Sequence, residues 1–85
     1  MVIRLRLCYF ASLREAFGDG EELVLTGADT VAAVRARLAD RGGDFARLLA
    51  ADRAVRAALN QQLCSDATLI DADAELAFFP PVTGG

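Results

Sequence analysis

Two consecutive prolines, Pro80-Pro81, follow directly on the run Glu75-Leu76-Ala77-Phe78-Phe79, and they limit what this chain can build more than any other feature. Proline has no N–H to give a sheet ladder and holds φ near one value, so a strand over 75–79 must stop there and the chain beyond it is stiffened. Val82 and Thr83 are β-branched and favour extension. Gly84-Gly85 carry no side chain and can enter a channel that would refuse any other residue. Extended, residues 80–85 reach roughly 20 Å. The reading is a folded domain over 1–79 and a flexible C-terminal Gly-Gly tail over 80–85, a thin arm with a carboxyl group at its tip.

The rest of the chain supplies one small sheet and its cover. In Val2 to Phe10, Ile3, Leu5, Leu7 and Tyr9 fall on one face with Arg4 and Arg6 on the other, the period of a strand. Ser12-Leu13-Arg14-Glu15 matches a capping box, predicting a short helix that starts at Ser12 and stops at Gly18-Asp19-Gly20. Glu22 to Thr26 reads as a second strand. Asp29 or Thr30 is placed to cap the main helix, which carries Val31, Val34 and Leu38 as its apolar stripe, with Arg35, Arg37 and Asp40 off it and Gly42-Gly43 as its stop. Phe45, Leu48 and Leu49 suggest a further helical turn. Val55, Ala57 and Leu59 read as a third strand, Asn60-Gln61-Gln62 as a turn and Leu63-Cys64 as a brief fourth strand. The order predicts an α+β domain, a mixed sheet covered by one main helix, with the first strand beside the last and Leu5 and Leu76 in the core.

Composition narrows the function classes. An 85-residue chain that is 54% apolar is one globule with a modest core. No apolar run is long enough to span a bilayer, and arginines interrupt the N-terminal apolar stretch, so a cytoplasmic protein without a membrane partner is expected. The nine basic residues are all arginine, they are scattered among twelve acids, and the net charge is −3; no nucleic-acid surface is expected. The two cysteines, Cys8 and Cys64, are far apart and there is no histidine, so neither a metal site nor a dithiol motif is expected. Asp66, Asp71, Asp73 and Glu75 gather before the tail; they read first as a solvated turn at its root and second as a patch for a basic partner. Without histidine or lysine no nucleophile has an activating base beside it, and catalysis by this chain alone is not expected. The reactive group left is the carboxylate of Gly85. It is a poor electrophile until converted to a mixed anhydride such as an acyl-adenylate, from which a sulfur or nitrogen nucleophile can displace AMP; another protein must supply that activation.

The ending Phe78-Phe79-Pro80-Pro81-Val82-Thr83-Gly84-Gly85, the segment Leu7-Cys8-Tyr9-Phe10-Ala11-Ser12-Leu13-Arg14-Glu15 and the triplet Leu59-Asn60-Gln61 together resemble the small, sulfur-carrying subunit of molybdopterin synthase, a β-grasp (ubiquitin-like) family. The resemblance runs over essentially the whole chain. One departure is Ala72, where family members often have glycine between two aspartates. The resemblance implies that Gly85 is adenylated by an ATP-dependent, ubiquitin-activating-like enzyme and becomes a thiocarboxylate. Its arm, Pro80, Pro81, Val82, Thr83 and Gly84, would then thread into the large synthase subunit, where sulfur passes to cyclic pyranopterin monophosphate. It implies no bound cofactor, only the adenylate and thiocarboxylate as modified states of the terminus, and a non-catalytic role within an enzyme complex. Two other classes share the ending: the sulfur carrier of thiamine biosynthesis, whose chains are typically shorter and lack a helix such as Ser12 to Phe17, and a ubiquitin-like protein modifier. Partner binding is expected on the exposed sheet face near the tail, through Phe10, Leu63 and Phe79 with Arg14 as a polar contact.

Overall fold

The computed structural model describes residues 1–80. Its main sheet has five strands in the order β2-β1-β7-β4-β5. These are β1 (Ile3–Tyr9), β2 (Gly20–Leu25), β4 (Arg56–Leu59), β5 (Gln62–Cys64) and β7 (Ala74–Phe79). The first and last strands lie side by side and parallel, with Leu7 opposite Leu76 and Tyr9 opposite Phe78; every other neighbour is antiparallel. A two-residue pair, β3 (Asp29–Thr30) with β6 (Leu69–Ile70), forms a separate ladder that the sequence pattern did not signal. Its two bridged pairs are too short to leave a periodicity.

Three helices cover one face: α1 (Ala11–Phe17), α2 (Val31–Ala39) and α3 (Gly43–Leu49). Strand alternation aims Ile3, Leu5, Leu7, Tyr9, Leu23, Leu25, Leu76 and Phe78 at them, and all are buried with Leu13, Val31, Val34, Leu38, Leu49 and Ile70. At about 25 cal/mol per Å² of apolar surface removed from water, that cluster is the main stabilising term in a domain this small. Among the described residues no helix is long and apolar enough to cross a membrane.

Four local expectations need correction. The capping box does not form: α1 begins at Ala11, the carbonyl of Phe10 accepts the N–H groups of Leu13 and Arg14, and Ser12 lies inside the first turn. The chain at Tyr9–Phe10, where β1 ends, is fixed by the sheet, and it sets the helix start two residues earlier than a Ser12 cap would. Gly42-Gly43 does not simply stop α2, which ends at Ala39; both glycines have positive φ, and Gly42 caps α3. Arg35, expected off the apolar stripe of α2, is nonetheless 4% exposed inside the α2–α3 layer. Asp71 and Asp73 sit at the start of β7, about 17 Å from its Pro80 end at the usual rise per strand residue, and not at the tail root. Asp73 accepts the N–H of Arg4 there, and Asp66 pairs with Arg35. Thr30 is the N-cap of α2, its hydroxyl accepting from the N–H of Ala33 at 3.1 Å, and Asp29 accepts the N–H of Thr30.

Candidate functional site

On the helix-free face of the sheet, strand pairing aligns one residue from each strand into a continuous row: Gly20, Cys8, Ala77, Ala58 and Leu63. Four of these are small, so the row forms a shallow apolar trough. Gly20 is required by close approach of the backbones, because a β-carbon there would lie 2.1 Å from the Leu7 carbonyl oxygen. Towards the start of β7 the next row is charged, with Arg6 opposite Glu22 on one side and Glu75 on the other. Towards Pro80 the trough is walled by Phe10 and Phe79, whose rings meet edge to face at 5.8 Å. The N–H of Phe10 donates to the carbonyl of Phe78 at 3.2 Å, tying the end of β1 to the end of β7.

Three of the apolar residues picked from the sequence therefore share this face. Phe10 is 48% exposed and Leu63 68%, while Phe79 is half-buried against Phe10. None of them is enclosed. Isolated exposed apolar residues are ordinary, but here they rim one continuous apolar strip beside the root of the arm. Arg14 lies on α1 next to the strip and donates from Nε to Asp19 at 2.5 Å; both side chains are well exposed, so the pair can be exchanged at little cost for a carboxylate on a partner. A cleft of about 340 Å³ runs between Arg6, Cys8, Phe10, Arg14 and Gly20. Pro80 is half-buried, whereas Pro81, Val82, Thr83, Gly84 and Gly85 lie outside the described residues.

Cys8, Ala58 and Ala77 were not picked out as site residues. Small side chains carry no signal of their own, and what makes them a surface is the strand register, which one sequence does not display. Burial, with the Glu75 carboxylate adding to it against the opposing pull of Arg6, pushes the Cys8 thiol up from its ordinary range. It remains a neutral thiol and not a poised nucleophile. Among the described residues no group of cysteines and acids is arranged to hold a metal ion.

Behind the site, a second polar cluster locks the core together. Tyr9 donates its hydroxyl to Glu21 Oε2 at 3.0 Å, and Arg41 donates to both Glu21 oxygens at 2.6 and 2.8 Å. Arg41 also lies 4.9 Å above the ring of Phe45, which stacks on Phe17. The Arg41 hydrogen bonds, helped by the one from Tyr9 and opposed by burial, hold the Glu21 carboxyl below the usual range. Burial first, and then Glu21, push the Tyr9 phenol well up.

Comparison with known proteins agrees with this architecture. The chain is 42% identical over 82 residues to the molybdopterin synthase sulfur carrier subunit of Escherichia coli (strain K12), across 95% of this chain and 99% of that protein. The solution structure of the Haloferax volcanii HVO 2177 protein superposes with a TM-score of 0.83 at 27% identity, covering 99% of this chain and 88% of the other. That of small archaeal modifier protein 1 from Methanosarcina acetivorans gives a TM-score of 0.70 at 25% identity, over 100% and 99% of the two chains. The ThiS family model matches residues 7–85, and the chain belongs to that family, on the ubiquitin-like β-grasp fold.

Proposed function

We propose that this protein is the sulfur-carrier subunit of a molybdopterin synthase, with Gly85 as the group that carries sulfur. The observation that supports this most is the placement of an apolar strip with exposed Phe10 and Leu63 at its rim, walled by Phe10 and Phe79, at the point where the arm leaves the sheet. A carrier needs a docking face that brings its tip to a fixed place in another protein, and this face adjoins the arm.

An ATP-dependent adenylating enzyme lets a Gly85 carboxylate oxygen attack the α-phosphorus of ATP, and pyrophosphate leaves. Hydrosulfide then attacks the acyl carbon and the bond to AMP breaks, leaving a thiocarboxylate. Where the sulfur arrives as a persulfide, the acyl disulfide first formed is cleaved by a thiol, which leaves joined to the donor as a disulfide. After exchange of partner, the arm enters the large synthase subunit. There the thiocarboxylate sulfur forms a carbon–sulfur bond to cyclic pyranopterin monophosphate while a carbon–oxygen bond of that substrate breaks, the oxygen leaving on the opened phosphate ester at one carbon and as water at the other. Water cleaves the acyl–sulfur bond and returns the carboxylate. A dithiolene takes two sulfurs, so two such deliveries are required. Pro80 and Pro81 lower the entropy lost when the arm is threaded, and Gly84 leaves room at the narrowest point. Both partners use one face and one tip, so they bind in turn.

Incubation with the activating enzyme, ATP and a sulfur donor, followed by intact-mass measurement, tests the reading. Replacement of one oxygen by sulfur at Gly85 is expected, and a chain truncated after Thr83 should stay unmodified while remaining folded. Thiocarboxylate on the truncated chain would overturn the assignment. The likeness to small archaeal modifier protein 1 favours a second reading, attachment to target lysines, which the same measurement in cells distinguishes as conjugates of higher mass.

A further inference from the structure

Arg35 is the one charged side chain buried among the described residues, and the docking face does not use it. It projects from α2 into the connection between α3 and β4, residues 50–55. There Nε donates to the carbonyl of Leu49 at 2.9 Å, and Nη2 to those of Ala50 at 2.6 Å and Arg53 at 2.5 Å. Nη1 reaches Asp66 Oδ2 at 3.2 Å. Three of its four partners are thus backbone carbonyls, one from the last residue of α3 and two from the loop that follows it. Inside that loop the N–H of Arg53 returns to Ala50 and the N–H of Val55 to Arg53, at 2.9 and 2.8 Å. A guanidinium with a fixed fork of donors holds such a set in one geometry; an ammonium could not.

The clamped loop leads straight to the root of the arm. Arg56, the first residue of β4, pairs with Phe79, the last residue of β7. Pro80 cannot carry that ladder further, since it has no N–H. Its surroundings are instead a cleft of about 290 Å³ whose lining includes Leu13 of α1, Leu48 of α3 and the loop residues Arg53, Ala54 and Val55. The direction in which the chain leaves the sheet at Pro80 is set on this side by a loop whose shape depends on Arg35, and on the other by the Phe10–Phe78 hydrogen bond.

We propose that Arg35 is a positioning residue for the arm: by clamping the carbonyls of Leu49, Ala50 and Arg53 it fixes the wall of the cleft at Pro80, and so aims the terminus at partner active sites. The inference rests on the sulfur-carrier reading. Its effect acts through geometry and not through contact with the reacting atoms. Displacements of about 1 Å far from the chemistry can lower rates by up to about 100-fold.

The test uses Arg35→Met and Arg35→Lys in the full-length chain. Ile70→Ala is the control, a buried residue on β6 in the separate two-stranded ladder, whose loss lowers stability while leaving Arg35 and its carbonyl partners in place. Adenylation is followed by pyrophosphate release, well below each variant's melting temperature. Arg35→Met is expected to lower kcat roughly tenfold with KM nearly unchanged, because the docking face is intact while the tip is misdirected. Arg35→Lys should recover part of the loss, and Ile70→Ala should keep the wild-type kcat. An Arg35→Met protein with wild-type kcat would overturn the proposal, as would an equal loss in Ile70→Ala. If Arg35→Met does not fold, Arg35→Lys carries the same decision: reduced kcat supports it and wild-type kcat overturns it. Wild-type chain left unprocessed by the activating enzyme would count against the carrier reading instead. NMR contacts between Pro80 and Val55 then decide the geometry, their loss in the Arg35 variant supporting the clamp and their retention overturning it.

Discussion

Along β1, Ile3, Leu5, Leu7 and Tyr9 lie under the helices and are at most 1% exposed, whereas Phe10, one residue beyond the strand, is 48% exposed on the opposite face. The same contrast runs down β7, where Phe78 is fully buried and its neighbour Phe79 only half-buried. Two phenylalanines adjacent in sequence thus serve opposite ends. The inner face is closed by three helices and holds the fold. Among the described residues no helix covers the outer face, and at its Pro80 end its large side chains are apolar where folding alone would favour polar ones. An apolar residue retained in water contributes little to stability, so its effect should lie in association. Substitutions on the two faces can separate these roles.

The largest effect on the fold is expected from Phe78→Ala. Truncating a fully buried aromatic costs about 3–5 kcal/mol. Against the total of about 5–15 kcal/mol available to a small domain, that is enough to shift a urea midpoint far down or abolish the transition. Phe79→Ala should cost about 1 kcal/mol, most of it the edge-to-face contact with Phe10. Equal losses at the two positions would break the distinction between the faces.

A second, smaller effect tests whether the outer face is tolerant everywhere. Gly20→Ala sets a methyl against the Leu7 carbonyl at the point where β2 meets β1. The strands must separate, at about 1–3 kcal/mol as for other overpacked sites. Thermal melting of this variant should show a clear loss although the residue is exposed; an unchanged melting temperature would mean that the β2 edge moves freely.

Glu21→Gln comes next. Because the folded-state pKa of Glu21 is lowered, its contribution is present above the ordinary glutamate range and is lost as pH falls through that range towards the folded value. The glutamine variant should therefore be less stable than wild type at neutral pH, and the difference should vanish in acid. Partial exposure of the Arg41–Glu21 pair keeps the figure to about 1 kcal/mol and makes it salt-sensitive. Denaturation at neutral and acidic pH, with and without added salt, reads this directly.

How far the sequence carried these distinctions depended on the kind of signal. Period-two alternation in Ile3-Arg4-Leu5-Arg6-Leu7 identified both the strand and its buried side, and Pro80-Pro81 located the end of the last strand. The exposed positions of Phe10 and Leu63 were legible from placement, Phe10 at the end of the first strand and Leu63 on a short edge segment. The trough of Cys8, Ala77 and Ala58 was not, since it exists only through cross-strand register. The burial of Arg35, which lies off the apolar stripe of its helix, was not legible because the carbonyls that hold it lie 14 to 18 residues away in sequence and leave no local trace. Ser12 matched a capping motif, but tertiary contacts at the end of β1 set the helix start.

The smallest effect on the fold, and the sharpest on the comparison, is expected from Leu63→Ser. Leu63 is 68% exposed on edge strand β5, and its cross-strand neighbour Ala58 offers it little contact surface. Stability should change by no more than about 0.5 kcal/mol, as for other surface substitutions. If the strip is the docking face, the same change removes an apolar anchor at one end of the interface, and affinity for the large synthase subunit should fall roughly tenfold, the loss of about 1.4 kcal/mol typical of a moderate contact. On the proposal that one face serves both partners, the activating enzyme should show a loss of similar size. Calorimetric titration of each partner with wild type and Leu63→Ser measures these terms separately from stability. Unchanged affinity for both partners would remove Leu63 from the site and confine docking to the Phe10–Phe79 wall. A loss for one partner alone would show that the two divide the face between them, with the Leu63 end serving only one.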